Sequence, residues 1–120
     1  MVIHRVHYPT FPYIDHTKWS NFHTFHVSAI SPIAGPLMVA ELLLSSSTLL
    51  LSNFDPYLLF VFACTLTTFA STGLAAVPAH SALSNGFETA TFHRLMRADK
   101  VRAYAWFFSL AVLAYLVANQ

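Results

Sequence analysis

Three long stretches almost free of charge limit what this chain can fold into. They run over 19–51, 57–78 and 101–118, and a helix crossing the hydrocarbon core of a bilayer needs about 20 residues at roughly 1.5 Å rise each. Composition agrees: 56% of the residues are hydrophobic and 9% charged, where a soluble domain carries about 25% charged residues. The expected fold class is therefore all-α and integral to the membrane, with three transmembrane helices in an antiparallel bundle.

Local signals divide the chain further. Ser52-Asn53-Phe54-Asp55-Pro56 reads as a tight turn, with Asp55 as helix N-cap and Pro56 at the first helical position, so the first two spans form a hairpin. The first span exceeds bilayer thickness and carries Pro32, Gly35 and Pro36; its start is expected to project from the membrane and its middle to bend. Residues 1–18 mix prolines, aromatics and charges without periodicity and read as an irregular interfacial arm, leaving 19–120 as a single transmembrane domain. Within 84–100, the spacing of Phe87, Thr91 and Leu95 and of Phe92 and Met96 predicts a short amphipathic surface helix over about 86–98. The prolines near the start interrupt any signal-peptide core. The one cysteine, Cys64, lies in an apolar run and reads as a small hydrophobe.

Charge placement gives the expected orientation. Arg5, Lys18, Arg94, Arg97, Lys100 and Arg102 all fall on one side of the three spans, and the opposite turn has no basic residue. The positive-inside bias puts the N-terminus and that basic surface in the cytoplasm and the C-terminus across the membrane, as in a multi-pass protein of a bacterial inner membrane.

Few polar groups enter the spans. Glu41, about ten residues before the turn, falls near mid-bilayer, level with Cys64, Thr65, Thr67 and Thr68 on the antiparallel neighbour. A carboxyl there is either hydrogen bonded across two helices or serves a ligand or a proton relay. His23 and His26 share a helix face, and His80 lies at the same depth on the next span. His93, with Glu88 five residues before it, and His4, His7 and His16 lie on the same side. Histidines so grouped either bridge helices by hydrogen bonds or ligate a haem, a pigment or a transition metal, with His23, His26, His80, Glu41, Glu88 and His93 as the candidate set. Trp19, Tyr57, Tyr104 and Trp106 fit interfacial belts. No catalytic triad, phosphate loop, Cys-x-x-Cys or carboxylate pair can be assembled, which argues against an enzyme of those classes, and the basic residues are too few for a nucleic-acid surface.

One set of motifs carries a resemblance. Val6-His7-Tyr8-Pro9 with Phe11, then Phe22-His23-Thr24-Phe25-His26, Gly35-Pro36-Leu37-Met38 with Glu41, and Val77-Pro78-Ala79-His80 with Leu83, Gly86, Phe87 and Glu88 follow in order, continued by His93, Leu95, Arg102 and Trp106. In these the chain resembles a family of small bacterial integral membrane proteins, usually of four helices and without an established activity. The family typically has a further helix before the His-Tyr-Pro stretch and an Asn-Trp-x-Arg-Thr start to its last helix, where this chain reads Asp99-Lys100-Val101-Arg102-Ala103. The resemblance implies a bundle lacking the first helix, with a groove for a partner. The leading expectation is thus a small accessory subunit of a larger membrane complex, of respiratory or photosynthetic type, that stabilises assembly by helix packing. The alternative is a histidine-ligated metal-, haem- or pigment-binding redox protein. A transporter is weaker, because no inverted repeat is visible.

Overall fold

The computed structural model describes residues 3–119. Helix α1 runs Trp19–Leu51, α2 Pro56–Ser71, α3 Val77–Leu83 and α4 Thr89–Ala118; α2 and α3 are joined through a π-type segment, Thr72–Ala76, into one continuous span. Three helices, Trp19–Leu51, Pro56–Leu83 and Thr89–Ala118, are long and apolar enough to cross a membrane. The fold is an all-α bundle, and the protein is a multi-pass membrane protein.

The hairpin between α1 and α2 follows from its turn residues. Asn53 and Phe54 take positive φ of 54° and 62°, which reverses the chain in two residues. Asp55 Oδ1 then accepts from the Tyr57 and Leu58 amides at 2.9 and 3.2 Å, satisfying two free donors of the first turn of α2, where Pro56 has none to satisfy. Farther along, Pro78 removes the amide that would bond back to Leu74, and the wider turn of Thr72–Ala76 falls on the residues just before it. α3 ends at Ser84-Asn85-Gly86, where Gly86 has φ 142°, a conformation that only glycine adopts cheaply.

α2 lies between its neighbours, packing on both α1 and α4, while α3 and the π-type segment pack on α4. The core gathers at the end that carries the chain's start. There Tyr8, Phe11, Trp19, Ala76, Ala79, Leu83, Phe92, Leu95 and Ala98 bury one another, and the Trp19 indole donates at 2.7 Å to the Leu83 carbonyl at the end of α3, which also accepts from the Gly86 amide at 3.2 Å.

Three expectations need correction. The stretch 86–98 is not a separate surface helix: from Thr89 it forms the first turns of α4, continuous with the span. No glycine or proline interrupts 89–118, and Thr91, Phe92, Leu95, Ala98 and Asp99 are buried, so that face is committed to the bundle. The arm is likewise not irregular over its described residues. A π-type turn, Ile3–His7, and a 3₁₀ turn, Tyr8–Tyr13, coil it, and the buried Tyr8 and Phe11 rings plug it into the core. Proline at the second position of the 3₁₀ turn suits helical φ. The second span also extends to Leu83, five residues past the expected 78.

Candidate ligand cleft and histidine cluster

At the packed end, α1, α3 and the N-terminal turns bring four imidazoles together. His23 and His26 lie on one face of α1, one turn apart, and His80 approaches from α3: ring centroids are 5.4 Å apart for His23–His80, 5.5 Å for His26–His80 and 6.4 Å for His23–His26. His7 adds the fourth ring, its Nε2 hydrogen bonded to His26 Nδ1 at 2.8 Å. His23 Nδ1 meets Ser84 Oγ at 3.4 Å, His23 Nε2 meets His80 Nδ1 at 3.2 Å, and His80 Nε2 meets the Tyr8 hydroxyl at 3.3 Å. His26 Nε2 is buried without a partner. The ring nitrogens thus point largely at one another and at hydroxyls. Among the described residues no three His, Cys, Asp or Glu side chains are arranged to hold a metal ion.

Beside the cluster opens a cleft of about 610 Å³. Its walls are apolar, from Ile30, Ile33, Leu37 and Met38 of α1, and its polar lining includes Tyr8, Glu41, His80, Asp99, Arg102 and Trp106. The cleft exists because α1 separates from α4: no residue of 27–44 is buried, and Pro32, Gly35 and Pro36 on this stretch offer few side chains with which to close the gap.

Glu41 is fixed from two sides. The Trp106 indole donates to Oε2 at 3.0 Å, and the Thr65 hydroxyl lies 3.4 Å from Oε1 and 3.2 Å from the Val61 carbonyl, so the carboxyl touches all three helices. Nearer the histidines, Asp99 is buried and paired twice: Arg102 Nη2 lies 2.6 Å from Oδ1 and His4 Nδ1 2.9 Å from Oδ2. Arg102 Nη1 also donates to the Thr72 hydroxyl at 3.3 Å, while its Nε is buried without a partner. Burial pushes the Tyr8 phenol above its ordinary pKa, with the Arg102 guanidinium pulling the other way.

The structure therefore joins His23, His26 and His80 in one cluster and sets Glu41 in the adjoining cleft. It does not bring Glu88 or His93 to either: Glu88 accepts from the Thr91 hydroxyl one turn into α4, and His93 is exposed beside Phe92. Of the basic residues, Arg5, Lys18, Arg94, Arg97 and Lys100 are exposed, and Arg102 turns inward. Sequence reasoning missed Tyr8, Asp99 and Trp106 as site residues. A signal existed, because 99, 102, 103 and 106 share one helical face, but it appears only once α4 is read as continuous. Neither a family model, a curated protein nor a solved structure matches this chain.

Proposed function

We propose that this protein binds a lipid-soluble molecule with an oxygen-bearing head, taken from the bilayer into the cleft between α1 and α4. The observation that carries the reading is the convergence of Tyr8, Glu41, His80, Asp99, Arg102 and Trp106 on one apolar-walled cavity. Acyl chains offer such groups no hydrogen bonds, and ionisable residues within membrane spans mark ligand or proton pathways. A volume of about 610 Å³ suits one small amphiphile, within the roughly 300–1,000 Å³ of ordinary ligand pockets. The body of the ligand lies against Ile30, Ile33 and Leu37, and its head takes the free capacity of the polar lining.

The probe for this reading is 2-heptyl-4-hydroxyquinoline N-oxide, an aromatic ring with two oxygens and an apolar tail. Titrated by its fluorescence into nanodiscs holding the protein, it saturates at one site, and Glu41→Leu weakens it about tenfold, the equivalent of one charge-assisted hydrogen bond. Partitioning that never saturates, or that the variant leaves unchanged, overturns the reading.

A subunit role is the second reading, and a different observation favours it: α1 buries none of its side chains over 27–44, leaving a helix face that a partner helix would cover by close packing. Migration as a lone 13.4 kDa chain after mild extraction sinks it. Under either reading the basic end faces the cytoplasm. Thiol labelling from outside the cell then reaches a cysteine at Asn53 and not one at Thr17.

A further inference from the structure

The hydrogen bonds of the histidine cluster run in a line with a direction. Ser84 Oγ lies 3.0 Å from the His80 carbonyl and 3.4 Å from His23 Nδ1. A hydroxyl has one proton, and here it goes to the nearer acceptor, so Ser84 Oγ accepts from His23 Nδ1–H. A neutral imidazole has one donor and one acceptor. His23 Nε2 is then the acceptor for His80 Nδ1–H, and His80 Nε2 is the acceptor for the Tyr8 O–H. Every bond points from the cleft, which Tyr8 and His80 line, to Ser84, which is exposed at the end of α3.

We infer that Tyr8, His80, His23 and Ser84 form a proton path that carries a proton from a hydroxyl of the bound molecule out to water. The inference rests on the cleft as a ligand site and narrows its occupant to molecules with an ionisable hydroxyl: a phenol, a hydroxyquinoline or a carboxylic acid. In one passage the ligand O–H bond breaks and its proton goes to the Tyr8 oxygen, whose own proton moves to His80 Nε2. The His80 Nδ1 proton passes to His23 Nε2, and the His23 Nδ1 proton leaves through Ser84 Oγ to water. One proton leaves, the ligand keeps the electron pair, and both imidazoles end in the other tautomer; one proton taken up from water along the same line resets them and restores the ligand hydroxyl before the ligand departs.

The groups that face this line come from each packed element. His7 and His4 belong to the N-terminal turns, His26 lies beside both imidazoles on α1, and Asp99 and Arg102 of α4 share the cleft wall with His80 and Tyr8. His26 is outside the line: its one hydrogen bond goes to His7. It is the internal control.

Two measurements on the full-length protein in nanodiscs test the path. The first needs no ligand: ¹⁵N spectra of labelled histidine near neutral pH place the proton of both His23 and His80 on Nδ1, against the Nε2 preference of free imidazole side chains. Protons on Nε2 of both rings overturn the direction and with it the path. The second follows proton release by a pH-indicating dye after mixing with 2-heptyl-4-hydroxyquinoline N-oxide. His23→Phe, which does not line the cleft, keeps the affinity of the probe and slows release by about a hundredfold, the scale of a lost positioned proton acceptor; His26→Phe leaves the rate as it was. Unchanged release in His23→Phe overturns the path. Should that variant fold poorly, Ser84→Ala, at an exposed position, removes the outlet and slows release in the same way. Absence of probe binding to the wild type sinks the cleft reading, and the tautomers still judge the path.

Discussion

The first turns of α1 and its middle stretch pack in opposite ways. Over its first turns Trp19, Phe22, His23 and His26 recur at helical spacing and pack against the N-terminal turns and α3. Over 27–44 the same helix buries nothing, and a cleft with a carboxyl at its deep end opens beside it. The reason is the solvent. In hydrocarbon an apolar helix face gains little by leaving lipid for protein, so nothing forces α1 onto α4 there, whereas the aromatic and polar side chains of the first turns find partners only inside the chain. Stability therefore collects at the histidine end, and the mid-membrane stretch is left free to bind.

The sharpest way to break this contrast is to empty the packed end. Phe11 is fully buried, edge-on to Trp19 and Phe22, and Phe11→Ala is expected to cost about 4 kcal/mol in detergent unfolding, while Leu37→Ala on the cleft wall stays within about 0.5 kcal/mol. Equal losses at the two positions would erase the distinction. Next in size is Asp99→Asn, which leaves Arg102 without its buried counter-charge and is expected to cost about 3 kcal/mol; Arg102→Met combined with it should recover part of the loss. Smaller again is Glu41→Leu. It gives up the bond from Trp106 and the contact with Thr65 but places an apolar side chain in an apolar setting, so the fold is expected to hold within about 1 kcal/mol even as probe binding falls. A loss of several kcal/mol would make Glu41 a structural tie and the cleft a by-product of packing.

How much of this was legible in the sequence depends on whether the signal was local. The bounds of α1, the Asp55-Pro56 helix start and the common depth of His26 and His80 follow from hydropathy, capping chemistry and a rise of about 1.5 Å per residue. The level of Glu41 with Thr65 follows from the same count. The seating of the arm was not legible, because Tyr8 and Phe11 are buried through contacts with residues outside the arm, from Trp19 to Phe92, without any periodicity of their own. The polar wall of the cleft was hidden by a wrong helix boundary. Charges at Arg97, Asp99, Lys100 and Arg102 read as a break between a surface helix and a span, yet Asp99 and Arg102 neutralise each other one turn apart, so the helix continues through them.

The smallest effect probes whether the mid-membrane half is tuned for stability at all. Ser109 lies on α4 about one turn beyond Trp106, and its hydroxyl is buried with no hydrogen-bond partner. A buried hydroxyl left unpaired costs about 1–3 kcal/mol against a paired one, and alanine is also the better helix former by a few tenths of a kcal/mol. Ser109→Ala is accordingly expected to raise the unfolding free energy by about 1 kcal/mol with no change in probe affinity, since Ser109 does not line the cleft. A drop in stability instead would place a partner on that hydroxyl, and the nearest source of one in a membrane is a second helix. The same variant thus separates a mid-membrane region merely unoptimised for stability from one already committed to another chain.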